Sequence, residues 1–256
     1  MTPKSILITG ATSGIGRALA LAYAEPGVTL ALTGRDAERL AEVRTACKSR
    51  GAAVIAAALD VRDAGRLAAW IGSADELAPL DLAIANAGVL AGIGFGRPRE
   101  SLGAATRAIE TNVVGVMNTV VPAVDRMVPR GRGQVAIMGS LAGFRGLPQS
   151  PAYCASKAAV AVYAEALRAN LIGTGVGVSL VAAGFVATPF NRDATVPKPL
   201  QIDAERAARI IRRGLARRAR VIAFPRILYY GLRLLPLLPG RLVDRVLSRI
   251  DADIPE

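Results

Sequence analysis

The chain has 256 residues, 52% of them hydrophobic, and a formal charge of +12. That apolar content excludes a disordered chain, and the length suits one large domain better than two. It holds no histidine and only two cysteines, Cys47 and Cys154, which excludes Ser-His-Asp triads, Cys-His pairs, His-ligated zinc and a disulfide scaffold; no metal site is expected.

The first ten residues contain one apolar run, at 6–8, too short for a signal-peptide core. Aliphatic and β-branched runs at 5–9, 28–33, 53–59, 82–85, 134–138 and 176–181 predict strands. Helical spacing covers 14–23, 37–49, 64–72, 102–127 and 152–172. Strict alternation predicts βαβ units: an α/β fold with a doubly wound parallel sheet, in a single domain with a C-terminal helical extension. The strand runs are wholly apolar, as strands buried on both faces require. Residues 171–190 form an uncharged run of membrane-spanning length. Gly173, Gly175, Gly177 and Gly184 divide it, predicting turn, strand and turn.

Beyond residue 200 a helix starts at Asp203, with Ala204, Ala207, Ala208, Ile211 and Leu215 on one face. A short strand follows at 221–224, then a segment at 225–239 that mixes Tyr, Leu and Pro with Arg. The last helix places Leu242, Val243, Val246, Leu247 and Ile250 opposite Arg241, Arg245 and Arg249. Between Arg206 and Arg233 there are nine arginines and no acid. Such a stripe suits nucleic acid, an anionic membrane or an acidic ligand. Aromatic residues are only 4% and no recognition motif is present, so no nucleic-acid partner is expected.

The first strand ends in Thr9-Gly10-Ala11-Thr12-Ser13-Gly14-Ile15-Gly16 and opens a helix. Such a turn lets backbone N–H groups approach a pyrophosphate. Tyr153 and Lys157 are four apart, so they share a helix face; Ser140 ends a strand thirteen residues upstream of the tyrosine. A lone Tyr and Lys at this spacing are usually a surface pair. Beside Ser140 they suggest acid–base work, with the ammonium lowering the phenol from its ordinary value near 10. The second strand ends Gly34-Arg35-Asp36. An NAD site usually carries an acid at that strand end. Gly34 has no side chain and Arg35 suits a 2′-phosphate, so NADP(H) is expected over NAD(H). Asp36 reads as an N-cap.

These residues resemble the short-chain dehydrogenase/reductases, whose Thr-Gly-three residues-Gly-one residue-Gly motif is matched by Thr9, Gly10, Gly14 and Gly16. The resemblance runs from about residue 5 to 190. It continues through Asp60-Val61, Asn86-Ala87-Gly88, Asn112, Ser140 and the Tyr153–Lys157 pair. It implies a Rossmann fold, with a dinucleotide-binding and catalytic region at 1–200 and an extension of the same domain at 201–256. It implies catalytic roles for Asn112, Ser140, Tyr153 and Lys157. Tyr153 would handle the proton, Ser140 would bond the reacting oxygen, Lys157 would also hold the ribose, and Asn112 would anchor a water. The implied cofactor set is Gly10, Thr12, Ser13, Gly14, Ile15, Gly16, Arg35, Asp60, Val61, Asn86, Ala87, Gly88, Tyr153, Lys157, Gly184, Val186 and Thr188. The family's Pro-Gly is Ala183-Gly184 here, which should loosen that turn. Phe144, Leu147, Phe185 and Phe190, with Phe95, are expected as apolar substrate walls.

The expected function is interconversion of an alcohol and a ketone or aldehyde on an apolar or bulky substrate. The alternative is a catalytically silent NADP(H)-binding sensor or scaffold. A sugar-nucleotide epimerase shares the Tyr/Lys pair but needs a larger substrate domain. The tail is similar to that of microsomal hydroxysteroid and retinol dehydrogenases and their bacterial relatives. A membrane surface, a second subunit and the core all remain open as its partner. A homodimer on the cytoplasmic side, with peripheral association at the inner face of the membrane, is the corresponding expectation.

Overall fold

The computed structural model describes residues 3–94, 97–237, 239–247 and 254, without the side chains of 236, 242 and 246. Phe95, Arg249 and Ile250, and the side chains of Leu242 and Val246, lie outside the described residues. The chain runs β1 (Ser5–Thr9), α1 (Gly14–Tyr23), β2 (Thr29–Gly34), α2 (Ala37–Lys48), β3 (Ala53–Ala58), α3 (Ala64–Leu77), β4 (Leu82–Ala85) and α4 (Leu102–Ile109). It continues through α5 (Gly115–Met127), β5 (Gly133–Ser140), α6 (Pro151–Asn170), β6 (Val176–Ala183), β7 (Val186–Ala187), β8 (Ile202–Asp203), α7 (Ala204–Ala216), β9 (Val221–Phe224), α8 (Arg226–Leu234) and α9 (Gly240–Leu247).

Seven parallel strands form one sheet in the order β3-β2-β1-β4-β5-β6-β9, and β7 pairs with β8 separately. β1, β2, β4, β5 and β6 are buried almost throughout, whereas the edge strands β3 and β9 are only partly covered. One face carries α1, α2 and α7, whose Leu19, Leu40, Val43, Ile211 and Leu215 share one core cluster with residues of β1, β2 and β9. The other carries α3, α5 and α6, with Leu67, Ile71, Val120, Met127 and Val160. Each such side chain contributes about 1.5–3 kcal/mol on burial. Aspartates start several helices: Asp36, Asp63 and Asp203 accept from the N–H three residues on.

The run at 171–190 resolves into a turn, β6 and β7, and among the described residues no helix is long and apolar enough to cross a membrane. The helix read at 102–127 differs. It is two α-helices joined by a π turn over Glu110–Val114. A single π turn inside a helix carries no residue signature of its own, so the sequence reads as one continuous helix. Asn112 lies in this turn, and its side chain pairs with the Val89 backbone.

The C-terminal segments join the main sheet. α7 packs beside α1, and β9 is the edge strand next to β6. On α8, Tyr229 is buried against Leu141 and Ala182, whereas Ile227, Tyr230, Leu234 and, just beyond, Leu237 are exposed.

Candidate active site

The carboxyl ends of β1 and β4 sit at the point where strand order reverses, and a crevice opens there in doubly wound sheets. The glycine turn lines it. Gly10 and Gly14 have φ of 65° and 53°, values that suit glycine. A Cβ on Gly16 would lie 2.2 Å from the Gly10 carbonyl oxygen and 2.5 Å from Asn86 Nδ2. The turn is stapled to β4: Asn86 Nδ2 donates to the Thr9 carbonyl (2.9 Å), and Thr9 Oγ1 accepts from the N–H groups of Asn86 and Ala87. Ser13 precedes α1 without a side-chain capping bond, and Ile15 packs into the core. Thr188 closes over the turn, its Cγ2 lying 3.2 Å from where a Gly14 Cβ would stand. Its segment is held by the pairing of Val186 with Ile202.

Gly34 ends β2, and a Cβ there would meet Thr12 Cγ2 at 2.6 Å. Arg35 follows, exposed, close enough to Asp60 for its charge to act on that carboxylate. Asp60 is clasped by Arg62, with Nη2 at 2.7 Å. Hydrogen bonds from Arg62 hold the Asp60 carboxyl below its usual range. Val61 is buried against Gly115, and its carbonyl accepts from Asn118. Arg62 escaped the sequence reading; it sits directly after Asp60-Val61, at a point that is legible only once the strand ends converge.

The second half of the site is carried by β5 and α6. Lys157 is buried and its Nζ donates to the Met138 carbonyl (3.0 Å), 5.7 Å from the centre of the Tyr153 ring. Burial lowers Lys157 to about 8. Burial pushes the Tyr153 phenol up to about 12, and hydrogen bonding with Ser140 pulls against that rise. The expected lowering of Tyr153 by Lys157 is therefore corrected for the protein alone, because desolvation disfavours both charged forms. Ser140 Oγ also accepts from the Ala142 N–H (3.1 Å).

Asn112 Oδ1 accepts from Val89 N–H (2.8 Å), and Nδ2 donates to the Val89 carbonyl and to Ser156 Oγ. Ser156 in turn donates to the Tyr153 carbonyl (2.7 Å). Ser156 thus ties the π turn to the helix that carries Tyr153, a role without a sequence signal beyond its place before Lys157. Gly88 lies between: a Cβ there would meet Asn112 Oδ1 at 3.0 Å and Lys157 Nζ at 3.6 Å.

The expected substrate residues divide. Phe190 faces Tyr153, ring centres 6.1 Å apart. Phe185 holds Ile202 through its carbonyl. Phe144 packs edge-on against Tyr229, and with Leu147 it lines a separate cavity of about 730 Å³ between α6 and α9. Tyr153 is absent from the described lining of that cavity. The C-terminal Ile254 packs over Gly92. At Ala183-Gly184, Ala183 pairs with Phe224, whose carbonyl accepts from Gly184 N–H (2.8 Å).

Comparison with known families decides the larger grouping: residues 4–198 match the short chain dehydrogenase family. The chain belongs to that family. This short-chain dehydrogenase is an oxidoreductase, and similar proteins span its whole length. An uncharacterized oxidoreductase of Myxococcus xanthus (strain DK1622) is 36% identical over 98% of both chains. The crystal structure of a short-chain dehydrogenase/reductase from Burkholderia phymatum in complex with NAD is 26% identical, with a TM-score of 0.82 over 99% of this chain and 98% of that one. A short-chain dehydrogenase from Sphingobium yanoikuyae in complex with NADPH is 27% identical, with a TM-score of 0.79 over 96% of each chain. The glycine cradle, closed to any Cβ at position 16, fits a dinucleotide of this kind.

Proposed function

We propose that the chain is an NADP(H)-dependent oxidoreductase that interconverts a ketone or aldehyde with an alcohol on an apolar or bulky substrate. The observation that carries this reading is the meeting of Ser140 and Tyr153 hydroxyls above a buried Lys157. The nicotinamide, when bound, exchanges the hydride. Tyr153 gives its proton to the carbonyl oxygen in reduction and takes one from the alcohol in oxidation. Ser140 bonds the same oxygen. Lys157 and Asn86-Ala87-Gly88 line the ribose and nicotinamide end, and Gly10, Thr12, Ser13, Gly14 and Gly16 line the phosphates. Gly184, Val186 and Thr188 close that end over the turn. Phe190 beside Tyr153 favours an apolar substrate. An aldehyde and ketone panel read by NADPH consumption tests the reaction; binding without any turnover would favour the silent sensor.

The 2′-phosphate is assigned to Arg35, which shares the neighbourhood of Asp60 with Arg62. An acid at 34, the mark of an NAD site, would drive its Cβ into Thr12. Arg35→Ala should weaken NADPH binding by about 1.5–3 kcal/mol, the scale of a charge-assisted bond, and leave NADH binding nearly unchanged. Equal affinity of the wild type for both cofactors contradicts this assignment.

A homodimer is proposed through the exposed apolar stripe of Val114, Met117 and Val121, with Val162 on α6. The membrane contact is proposed for α8. Ile227, Tyr230 and Leu234 stand exposed at helical spacing, with Arg226 and Arg233 on the same helix. Co-sedimentation with phosphatidylglycerol vesicles, partly reversed by salt, is the expected result, and Ile227→Glu with Leu234→Glu should abolish it. A truncation at 224 is a poor probe because it also removes the buried Tyr229. A protein that ignores such vesicles at every salt concentration contradicts the membrane contact.

A further inference from the structure

The amino ends of the sheet strands hold a second concave site. A cavity of about 540 Å³ opens there, lined by Arg132, Arg209, Arg212, Arg213 and Arg218. Arg132 precedes β5, three of the others lie on α7, and Arg218 follows it. β5 runs from Gly133, in the lining of this cavity, to Ser140 in the candidate active site. At about 3.3 Å per residue the two sites are roughly 23 Å apart.

Two of the arginines are held in place by backbone carbonyls. Arg212 donates to Ala22 O (2.7 Å), pairs with Glu25 and lies over the Tyr23 ring at 5.2 Å. Arg218 donates through Nη2 to the carbonyls of Gly133 (2.8 Å) and Gly175 (3.0 Å). Arg132, Arg209 and Arg213 are exposed and make no ion pair among the described residues. One carboxylate shares the wall, Asp81, and its Oδ2 already accepts from the N–H groups of Lys4 and Ser5. A guanidinium cannot relieve repulsion by losing its proton. With Asp81 on the wall and Glu25 on Arg212 as the nearby carboxylates, five guanidinia around one concavity leave a net positive field that attracts an anion. Their planar forks match phosphate oxygens, and the volume is that of a small-molecule pocket.

We propose that this basin is a binding site for a phosphate-bearing ligand, separate from the dinucleotide crevice. The ligand carries more than one phosphate charge, either as a free solute or as a phosphorylated lipid headgroup. Asp81 in the lining is engaged by the Lys4 and Ser5 N–H groups and the Tyr23 ring lies under Arg212, so the role proposed for the basin is binding.

The test is calorimetric titration of the full chain with inorganic pyrophosphate, at matched ionic strength, with NAD or NADP at saturation to fill the crevice. One pyrophosphate per chain is expected. Arg209→Glu with Arg213→Glu should weaken it at least about tenfold, and Arg132→Glu, on a different element, should weaken it in the same direction. The control pair Arg44→Glu and Arg66→Glu changes the net charge equally on distant helices and should leave affinity within about twofold. Vesicles containing phosphatidylinositol bisphosphate form the second arm. Binding that pyrophosphate competes away and the Arg209/Arg213 variant loses assigns the lipid source; pyrophosphate binding alone assigns the free solute. The proposal is overturned by absence of saturable binding, by equal losses in the basin and control variants, or by pyrophosphate binding that occurs only when the dinucleotide is left out.

Discussion

Tyr153→Phe is expected to lower turnover by at least the 10²–10⁴-fold associated with loss of a positioned acid–base group. The variant removes one oxygen. The ring keeps its place 6.1 Å from Phe190, and Lys157 keeps its bond to the Met138 carbonyl. Dinucleotide affinity should therefore survive, which separates loss of chemistry from loss of fold. The pH profile carries further content. Burial raises the phenol to about 12, so it is protonated at neutral pH and ready to donate. Carbonyl reduction should be nearly flat through neutrality. Alcohol oxidation needs the deprotonated phenol and should rise with pH toward that value. Steady-state rates in both directions between pH 6 and 10 check this; near wild-type turnover in the Phe variant contradicts the role of Tyr153.

Asp75→Ala should destabilise the fold by about 3–5 kcal/mol, because it strands a partly buried arginine. Asp75 is 5% exposed at the end of α3. It accepts from Arg130 Nη1 (2.6 Å) and Nη2 (2.8 Å) and from the Leu80 N–H (2.9 Å), which ties α3, the turn into β4 and the segment before β5 together. Arg130 Nε already lacks a partner, so the guanidinium would have little left to offset its desolvation. Burial by itself would raise the Asp75 carboxyl, but the bonds from Arg130 and Leu80 outweigh it and hold the group low. A lowered carboxyl contributes stability that is complete above the unfolded value of about 3.9 and is lost as pH falls through the folded value. The gap between wild type and variant should shrink in acid below about pH 4. Urea unfolding at pH 7 and pH 3 measures it, and a double change, Asp75→Leu with Arg130→Met, should recover most of the loss. An unchanged urea midpoint in Asp75→Ala at pH 7 contradicts the assignment.

Much of the architecture was legible along the chain because it depends on local pattern. Apolar runs that need burial on both faces marked β1, β2, β4, β5 and β6 to within a few residues. The turn at Gly10, Gly14 and Gly16 was readable because only glycine meets its φ angles and close approaches. The four-residue step from Tyr153 to Lys157 placed both on one side of α6 before any packing was known.

Tertiary structure decided what depends on neighbours distant in sequence. The π turn at Glu110–Val114 holds Asn112, whose partners Val89 and Ser156 lie 23 and 44 residues away along the chain. The edge-on contact of Phe144 with Tyr229, 85 residues later, arises because the chain returns α8 beside Leu141 and Ala182. The direction of the Tyr153 shift rested on how much protein surrounds the phenol, which spacing to Lys157 cannot express. The nine arginines from 206 to 233 read as one stripe, yet the fold sends some to the basin with Arg132 and others to α8 at the opposite end of the sheet. Charge counts are local and additive along the chain, whereas a field in a cavity is set by which side chains the strands and helices bring to the same wall.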